Sequence, residues 1–479
     1  MNFSFTKYRI RCTHPFGISR SSHDYYDIVY LYLENNGFVG RGEAAPSDRY
    51  NETTDSIMAI LENGISIPDE MDDPVKFLNS LFEDAVKAAL PQECLPAYLP
   101  KPSEGRSIVI GAGKASAAMA EVVERYWTKP MEGLVITRYG FHRPCNYIEI
   151  VQASHPIPDE AGLTAAGRML GYLEGLTEDD LVLCLISGGG SALLTLPADN
   201  IAFKDKQMVN EMLVKCGAPI SEINTVRKHL SAVKGGRLGQ SCMPARLHTL
   251  IISDVPGDDP SLVASGPTIP DTSNVSDALA ILEKYDLSIP SSVLDHLKGK
   301  VGEKEGVSFL GTHSIIGSSK TSLEAAKSHA RNHGIDVTVL GDAIEGESRV
   351  VGQNLAQLVL RENKQKHVYL SGGETPVTVN GRGRGGPNTE FLLGLALKLD
   401  GAKNVYALAC DTDGIDGTED NAGAIVKPDT LHRAHKSGFD AKTYLENNDV
   451  YTFFEGLGDL VITGPTYTNV NDFRAILVL

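Results

Sequence analysis

The residues that could do chemistry sit in six glycine-rich or acidic strings. The first is Ile108-Val109-Ile110-Gly111-Ala112-Gly113-Lys114-Ala115-Ser116. It reads as a strand, a glycine turn and a helix start. Glycines let the backbone approach an anion, and a helix start offers N–H groups and a positive dipole end. Lys114 adds a mobile point charge there. The string is no Walker A motif, because Ile108 stands where the first glycine belongs. It is no full dinucleotide fingerprint, because Ser116 replaces the third glycine. A tight turn with a surface lysine would account for it equally. The second string is Ser187-Gly188-Gly189-Gly190-Ser191, after the apolar run Leu181–Ile186. Three glycines in a row are costly to order. A structural turn rarely needs so many, so a phosphate or carboxylate cradle is the better reading, with Ser187 and Ser191 as hydroxyl donors.

The third string, Asn224 to Arg237, gathers Arg227, Lys228, Lys234 and Arg237 within an acidic chain. Arg227, Lys234 and Arg237 at helical spacing, with glycines among them, fit an anion site better than a solvated face. In the fourth, Asp254 follows the apolar run Thr249–Ser253, a usual place for a metal–phosphate ligand. Asp258 and Asp259 read equally as loop solvation. The fifth joins Ser371-Gly372-Gly373-Glu374-Thr375 to Gly381–Glu390, where glycines around Arg384 would let a guanidinium reach a phosphoryl group, a better reading than a mobile surface hairpin. The sixth is Asp411-Thr412-Asp413-Gly414-Ile415-Asp416-Gly417. Its register is wrong for an EF-hand. Magnesium held by one or two carboxylates, or a solvated acidic turn, would explain it. No His-Glu-x-x-His, Gly-x-Ser-x-Gly or protein-kinase catalytic loop is present. Among thirteen histidines, His155 alone has a motif-like setting, Ser154 to Glu160, where it could serve only to fix a proline-rich turn.

These strings need a scaffold, and the chain is long enough for about three domains: it has 479 residues, 42% hydrophobic and 22% charged. A net charge of −17 argues against nucleic-acid or anionic-membrane binding. Seven widely spaced cysteines without Cys-x-x-Cys make neither a disulfide framework nor a zinc site. No signal core or membrane-length apolar run is seen, so a cytoplasmic protein is expected. In the first ~63 residues, Asp27–Leu33 and Phe38–Pro46 read as strands around an Asn36-Gly37 hairpin turn. Thr53–Leu61 reads as a helix capped by Thr53 or Asn51, and residues 63–72 as a linker. Beyond Asp73 the pattern alternates. Strands are expected at 107–110, 133–137, 148–151, 180–186 and 249–253, then at 336–340, 367–371, 405–410 and 459–463. Helices are expected at 73–89, 115–127, 159–176, 321–333, 348–362 and 391–399. That alternation predicts doubly wound α/β sheets.

In order along residues 72 to 479, these strings resemble those of the glycerate 2-kinase family, whose C-terminal half is named for a leucine-rich fragment. They include Gly111–Ala120, His155–Glu160, Ser187–Leu194, Asn224–Ser231, Ser253–Asp259, Ser371–Thr375, Gly383–Glu390 and Asp411–Gly417. The resemblance implies ATP-dependent phosphorylation of D-glycerate at its 2-hydroxyl. It implies two different three-layer α/β domains, the first Rossmann-like, at residues 64–305 and 306–479, with the site in their cleft. The family's cleft lysine and arginine map onto Lys114 and Arg384, which would stabilise the transferring phosphoryl group. Gly111, Gly113, Ser187, Gly188, Gly189, Gly190, Ser191, Arg227, Lys234, Glu374 and Asn388 are the expected substrate and phosphate residues. Asp254 and Asp411 are the expected Mg²⁺ ligands. D-glycerate is the expected small-molecule partner, with no nucleic acid or membrane, in a monomer or homodimer.

Residues 1–63 resemble instead the β-β-β-α capping domain of the enolase superfamily, in its dipeptide-epimerase or muconate-cycloisomerase branch. The likeness is carried by Gly40-Arg41-Gly42-Glu43-Ala44-Ala45-Pro46 and Tyr50-Asn51-Glu52. No barrel with that superfamily's lysines and metal-binding acids follows. Two further functions compete with the kinase: an NAD(P)H-dependent hydroxypyruvate reductase, and an inactive fusion protein with a binding role.

Overall fold

Buried strands with glycine-rich ends fold here into parallel sheet, and the charged strings fall at the strand ends. The computed structural model of the chain describes residues 2–18, 21–35, 38–46, 53–62, 73–302, 309 and 311–479. The expected turn at Asn36-Gly37, the Tyr50–Glu52 string and the linker 63–72 lie outside the described residues. The chain divides into two compact units, Met1–Asp73 and Pro74–Leu479.

In the first unit, β1 (Asn2–Ile18), β2 (Ser21–Asn35) and β3 (Phe38–Ala44) form an antiparallel meander in that order. The β-β-β-α resemblance implied a third strand, but residue patterning did not place β1, because Lys7, Arg9 and Arg11 interrupt its apolar residues. Lys7 pairs with Asp55. Arg9 makes a two-pronged pair with Asp27, Nε and Nη2 donating at 2.6 and 2.7 Å. The helix Thr54–Glu62 follows, with Thr53 as its cap. Thr53 Oγ1 accepts from the Ser56 N–H at 3.0 Å, and Ser56 Oγ accepts from the Thr53 N–H at 2.9 Å. That reciprocal pair satisfies two donors the helix start would leave exposed.

In the second unit, β4 (Ser107–Ala112), β5 (Glu132–Arg138), β6 (Ile148–Ala153), β7 (Leu181–Ser187), β8 (Arg246–Ile252) and β9 (Gly311–Gly317) make one sheet. All its ladders are parallel, in the order β6-β5-β4-β7-β8-β9. This is the doubly wound order, which reverses between β4 and β7 and opens a crevice beyond their C-terminal ends. Side chains alternate between two cores, as the strand period requires. Ile108 and Ile110 pack with Ala165 and Met169 of helix Glu160–Gly171. Val109 packs with Met119 and Val123 of helix Ser116–Tyr126 on the other face. Helices Phe203–Lys215, Ile220–His229, Val275–Lys284 and Ser291–Lys300 bury a separate apolar cluster around Val209, Val226, Leu282 and Val293.

The other sheet is mixed. Its strands β10 (Asp336–Gly341), β11 (His367–Gly373), β12 (Val405–Asp411), β13 (Gly423–Val426), β14 (Leu460–Val461) and β15 (Asp472–Val478) run in the order β10-β11-β15-β12-β13-β14. Only β10 and β11 are parallel. The terminal strand β15 lies at the centre, antiparallel to both β11 and β12. It was not expected, because Asp472 and Arg474 disguise its buried character.

Sheet membership does not follow the expected division at 305/306. Strand β9 completes the first sheet, pairing Leu247 with Gly311 and Ile251 with Ile315. The helix Pro74–Ala88, expected to open the first α/β domain, packs on elements of the second sheet. Phe82 meets Phe473 at 5.9 Å between centroids, and Ser322 Oγ donates to the Ala85 carbonyl at 2.6 Å. No described helix is long and apolar enough to cross a membrane.

Candidate active site

The crevice at the sheet reversal is built by two loops that are tied to each other. After β4, Gly113 takes a positive φ of 151°, and a Cβ there would strike the backbone and hydroxyl of Ser187. The Lys114 N–H donates to the Gly188 carbonyl at 2.8 Å, and the Ala115 N–H donates to Ser187 Oγ at 2.9 Å. Ser116 Oγ donates to the Leu185 carbonyl at 3.0 Å and lies 3.2 Å from Ser187 Oγ. Ser187 is thus a buried tie between the loops. Gly111 lies within β4, where a side chain would run into the Leu185 carbonyl. Both residues shape the crevice and neither faces the cavity described below.

The glycines after β7 let other groups crowd in. A Cβ on Gly188 would overlap the Asp254 carboxylate and the Asn469 amide. A Cβ on Gly189 would lie 3.2 Å from both the His155 ring and the Lys114 side chain, and one on Gly190 would meet Ala264 at 2.6 Å. Ser191 Oγ lies 2.9 Å from Ser265 Oγ, which donates to Asn224 Oδ1 at 2.9 Å.

Lys114 reaches across to the other sheet. Its Nζ donates to Asp413 Oδ2 at 2.5 Å, with side chains only 13% and 1% exposed. Burial pulls the Lys114 ammonium down, but Asp413, Asp411 and Asp254 outweigh it and hold the ammonium above its ordinary range. Burial raises Asp411 well above the usual carboxylate range, and Asp413 adds to the effect. Burial raises Asp254 as well, with Lys114 opposing. Asn469 Nδ2 donates to Asp254 Oδ2 at 3.3 Å, and Asn471 Nδ2 donates to the Asp254 carbonyl.

Asp416, in the same acidic string, does different work. It accepts the N–H groups of Asn388 and Thr389 at 2.8 and 2.9 Å and the Thr389 hydroxyl at 2.8 Å. It therefore caps helix Pro387–Leu399. Asn388 is wholly buried, its Nδ2 donating to Asp472 at 2.6 Å, and Asp472 also accepts from buried Arg474. Asn388 Oδ1 and Arg474 Nε have no hydrogen-bond partner. The expected ligand Asn388 is thus placed in a buried network beneath the cleft.

A cavity of about 550 Å³ opens beside this cluster. Its walls include His155, Gly189, Ser191, Arg227, Asp254 and Glu374. Glu374 is exposed to the cavity, and its carboxyl is raised by desolvation first and then by Asp254. His155 is driven down to about 4 by burial, then by Lys114 and Arg138, so it faces the cavity as a neutral imidazole. Of the four cations in the third string, only Arg227 lines this cavity. Lys234 lies beneath it, 1% exposed, donating to the carbonyls of Ser191 at 2.9 Å and Ala264 at 3.4 Å. Lys228 pairs with Asp271 at 3.2 Å, and Arg237 donates to the Lys228 and Lys234 carbonyls. Arg384 stands on an exposed loop away from the cavity. Its Nε and Nη2 donate to Glu419 at 2.8 and 2.5 Å, and its guanidinium lies 4.3 Å over the Tyr451 ring.

Sequence reasoning missed Asp413 as the partner of Lys114, Asn469 and Asn471 beside Asp254, Lys206 behind the cavity, and the Asp472–Arg474 pair. The polar string Thr468-Asn469-Val470-Asn471-Asp472 before a terminal apolar run was the available signal for three of them. Asp254 and Asp411 are the hard oxygen donors suited to magnesium, which takes one or two protein carboxylates and completes its shell with water and phosphate. Among the described residues no group of three or more His, Cys, Asp or Glu side chains is arranged to hold a metal alone.

Comparison with known proteins agrees with this arrangement. Residues 77–298 match a domain of unknown function, DUF4147, and residues 367–472 match the MOFRL family. A putative hydroxypyruvate reductase from Agrobacterium vitis is 48% identical over 411 residues, covering 84% of this chain and 94% of its own. The D-glycerate 2-kinase of Thermotoga maritima is 38% identical over 412 residues, covering 84% of this chain and 98% of its own. The crystal structure of a glycerate kinase from Thermotoga maritima superposes with a TM-score of 0.78 at 36% identity, over 85% of this chain and 100% of that one. Two α/β sheets flanking a lysine-bearing crevice and likeness along both partners' lengths lead to one conclusion: the chain belongs to the glycerate kinase family and is a kinase.

Proposed function

We propose that the chain transfers the terminal phosphoryl group of ATP to the 2-hydroxyl of D-glycerate, giving ADP and 2-phospho-D-glycerate. The observation that carries this reading is Lys114, a buried ammonium at the sheet crevice, held charged by carboxylates of both sheets beside a cavity that holds Arg227. Phosphoryl transfer requires positioning and charge stabilisation more than covalent chemistry. Lys114 supplies a cation that keeps its proton at neutral pH. Gly188, Gly189, Gly190 and Ser191 let an anion approach the backbone. Arg227 binds an anionic group from the cavity wall, and Glu374 orients a hydroxyl.

Asp254 and Asp411 would hold Mg²⁺, which would neutralise donor phosphate charge as it forms. Ser187, Gly111, Gly113, Lys234 and Asn388 support the site from behind. Arg384 acts only when its loop leaves Glu419 and turns to the cavity.

Incubation with ATP, Mg²⁺ and D-glycerate, followed by phosphorus NMR, tests this. A 2-phosphoglycerate resonance is expected. Its absence from folded protein refutes the assignment of substrate.

The name of the Agrobacterium relative favours a second reading, reduction of hydroxypyruvate. A dinucleotide site uses the N–H groups of the first strand–helix turn for pyrophosphate. Here the Lys114 and Ala115 N–H groups are committed to Gly188 and Ser187. Nicotinamide absorbance on adding hydroxypyruvate with NADH or NADPH separates the readings, and no change is expected.

A further inference from the structure

A second cavity, about 660 Å³, adjoins the first and shares His155, Gly189, Ser191 and Arg227 with it. Its volume falls in the range of roughly 300–1,000 Å³ that drug-sized ligands occupy, far more than a three-carbon acid fills. One wall is apolar: Pro156, Ile157, Pro158, Ala192 and Val214. The helix Phe203–Lys215 contributes Gln207 and Asn210 to the other.

These two amides are oriented by protein contacts. Gln207 Nε2 donates to the Pro158 carbonyl at 2.8 Å, which leaves Oε1 as an acceptor for a ligand. Asn210 Oδ1 accepts from Arg227 Nε at 3.2 Å, which leaves its Nδ2 as a donor. Glu211 and Lys215 also line the pocket and pair with each other at 2.7 Å, so the apolar walls carry one oriented amide acceptor and one oriented amide donor, the complement of a purine edge.

The wall shared by the two cavities is cationic. Arg227 sits there, and behind it lie Lys206 and Lys234, which donate only to main-chain carbonyls. Among the described residues none of the three pairs with a carboxylate. The Arg227 guanidinium, largely buried and without a carboxylate partner, is poised for a ligand anion.

We propose that this second cavity is the nucleoside site. It takes the purine and ribose of a nucleoside triphosphate, Arg227 binds the phosphates at the shared wall, and the phosphoryl acceptor occupies the first cavity. The inference rests on the kinase reading but is testable apart from it. Val214 is 57% exposed on the rim, so Val214→Trp fills the pocket without disturbing the core. Gln207→Ala removes the acceptor and is the second variant, should the tryptophan lower the thermal midpoint.

Calorimetric titration with MgADP and steady-state kinetics are the readouts. In either variant MgADP affinity should fall about tenfold and KM for ATP rise equally. KM for D-glycerate should stay within about twofold. Unchanged MgADP affinity in both variants overturns the proposal, as does a rise in KM confined to D-glycerate. Wild-type protein that binds MgADP without phosphorylating D-glycerate, with binding lost in the variants, supports the nucleoside site and refutes the acceptor. Wild-type protein that binds no MgADP overturns both.

Discussion

Replacing Lys206 by methionine should stabilise the protein, and by much more at low pH than at high pH. Lys206 is 2% exposed and donates to the Leu196 carbonyl at 3.1 Å. Burial, reinforced by the charge of Arg227, lowers its ammonium from 10.5 to about 7. Between those two values the unfolded chain holds the proton and the folded chain does not. Stability therefore rises with pH across that window, and below about 7 the protein carries the full cost of the buried charge. At about 1.4 kcal/mol per pH unit, the interval corresponds to roughly 5 kcal/mol. Methionine fills similar space and has no charge to desolvate. The Leu196 carbonyl keeps donors in Ser231 Oγ at 3.1 Å and the Ala232 N–H at 3.0 Å, so the variant strands no acceptor. Lys234 titrates in both proteins, and loss of the Lys206 charge relieves part of its depression, which adds to the advantage of the variant at low pH. Urea unfolding of both proteins at about pH 6 and about pH 10 measures the effect. The advantage of the variant should shrink by several kcal/mol between them. A difference that stays constant with pH would refute the assignment of a depressed ammonium.

Three further outcomes follow from the site. Lys114→Met should lower turnover by about a thousandfold or more, and Asp413→Asn should lower stability by about 3–5 kcal/mol, because each leaves a buried partner uncompensated. The double variant should be more stable than the sum of the two single losses predicts, and strict additivity in urea unfolding would deny the pairing. Gly188→Ala forces a methyl group into the Asp254 carboxylate and the Asn469 amide. Its turnover should collapse and its thermal midpoint fall, whereas near wild-type kinetics would show that the loop relaxes freely. Expression of residues 74–479 alone should retain kinase turnover, since both family matches and the compact second unit lie within them. An insoluble or inactive product would make residues 1–73 part of the working enzyme.

Much of the scaffold was legible because it depends on local chemistry. The helix expected at 348–362 is Ser348–Glu362, and that at 73–89 is Pro74–Ala88, where apolar spacing and a proline in the first turn both point the same way. Strands β4 and β7 were legible from short apolar runs ending in glycine. Strand β9 was not, because His313 and Ser314 dilute it and it owes its place to the edge offered by β8. The cation string shows the limit most clearly. Arg227, Lys228, Lys234 and Arg237 have the same chemistry in sequence, yet one lines the cavity and the others pair with Asp271 or main-chain carbonyls.

By itself the sequence determined the alternation of elements, the glycine turns after buried strands and the family strings in their order. These follow from side-chain periodicity and backbone freedom, which act within a few residues. Only the tertiary structure decided which charges meet. Lys114 and Asp413 are 299 positions apart. Their contact exists because β4 and β12 end at the same crevice, with β15 laid through the centre of the second sheet. Burial then decided charge state, keeping Lys114 protonated among carboxylates and stripping His155 of its proton beside it. Proximity and desolvation belong to topology, and no local pattern encodes them.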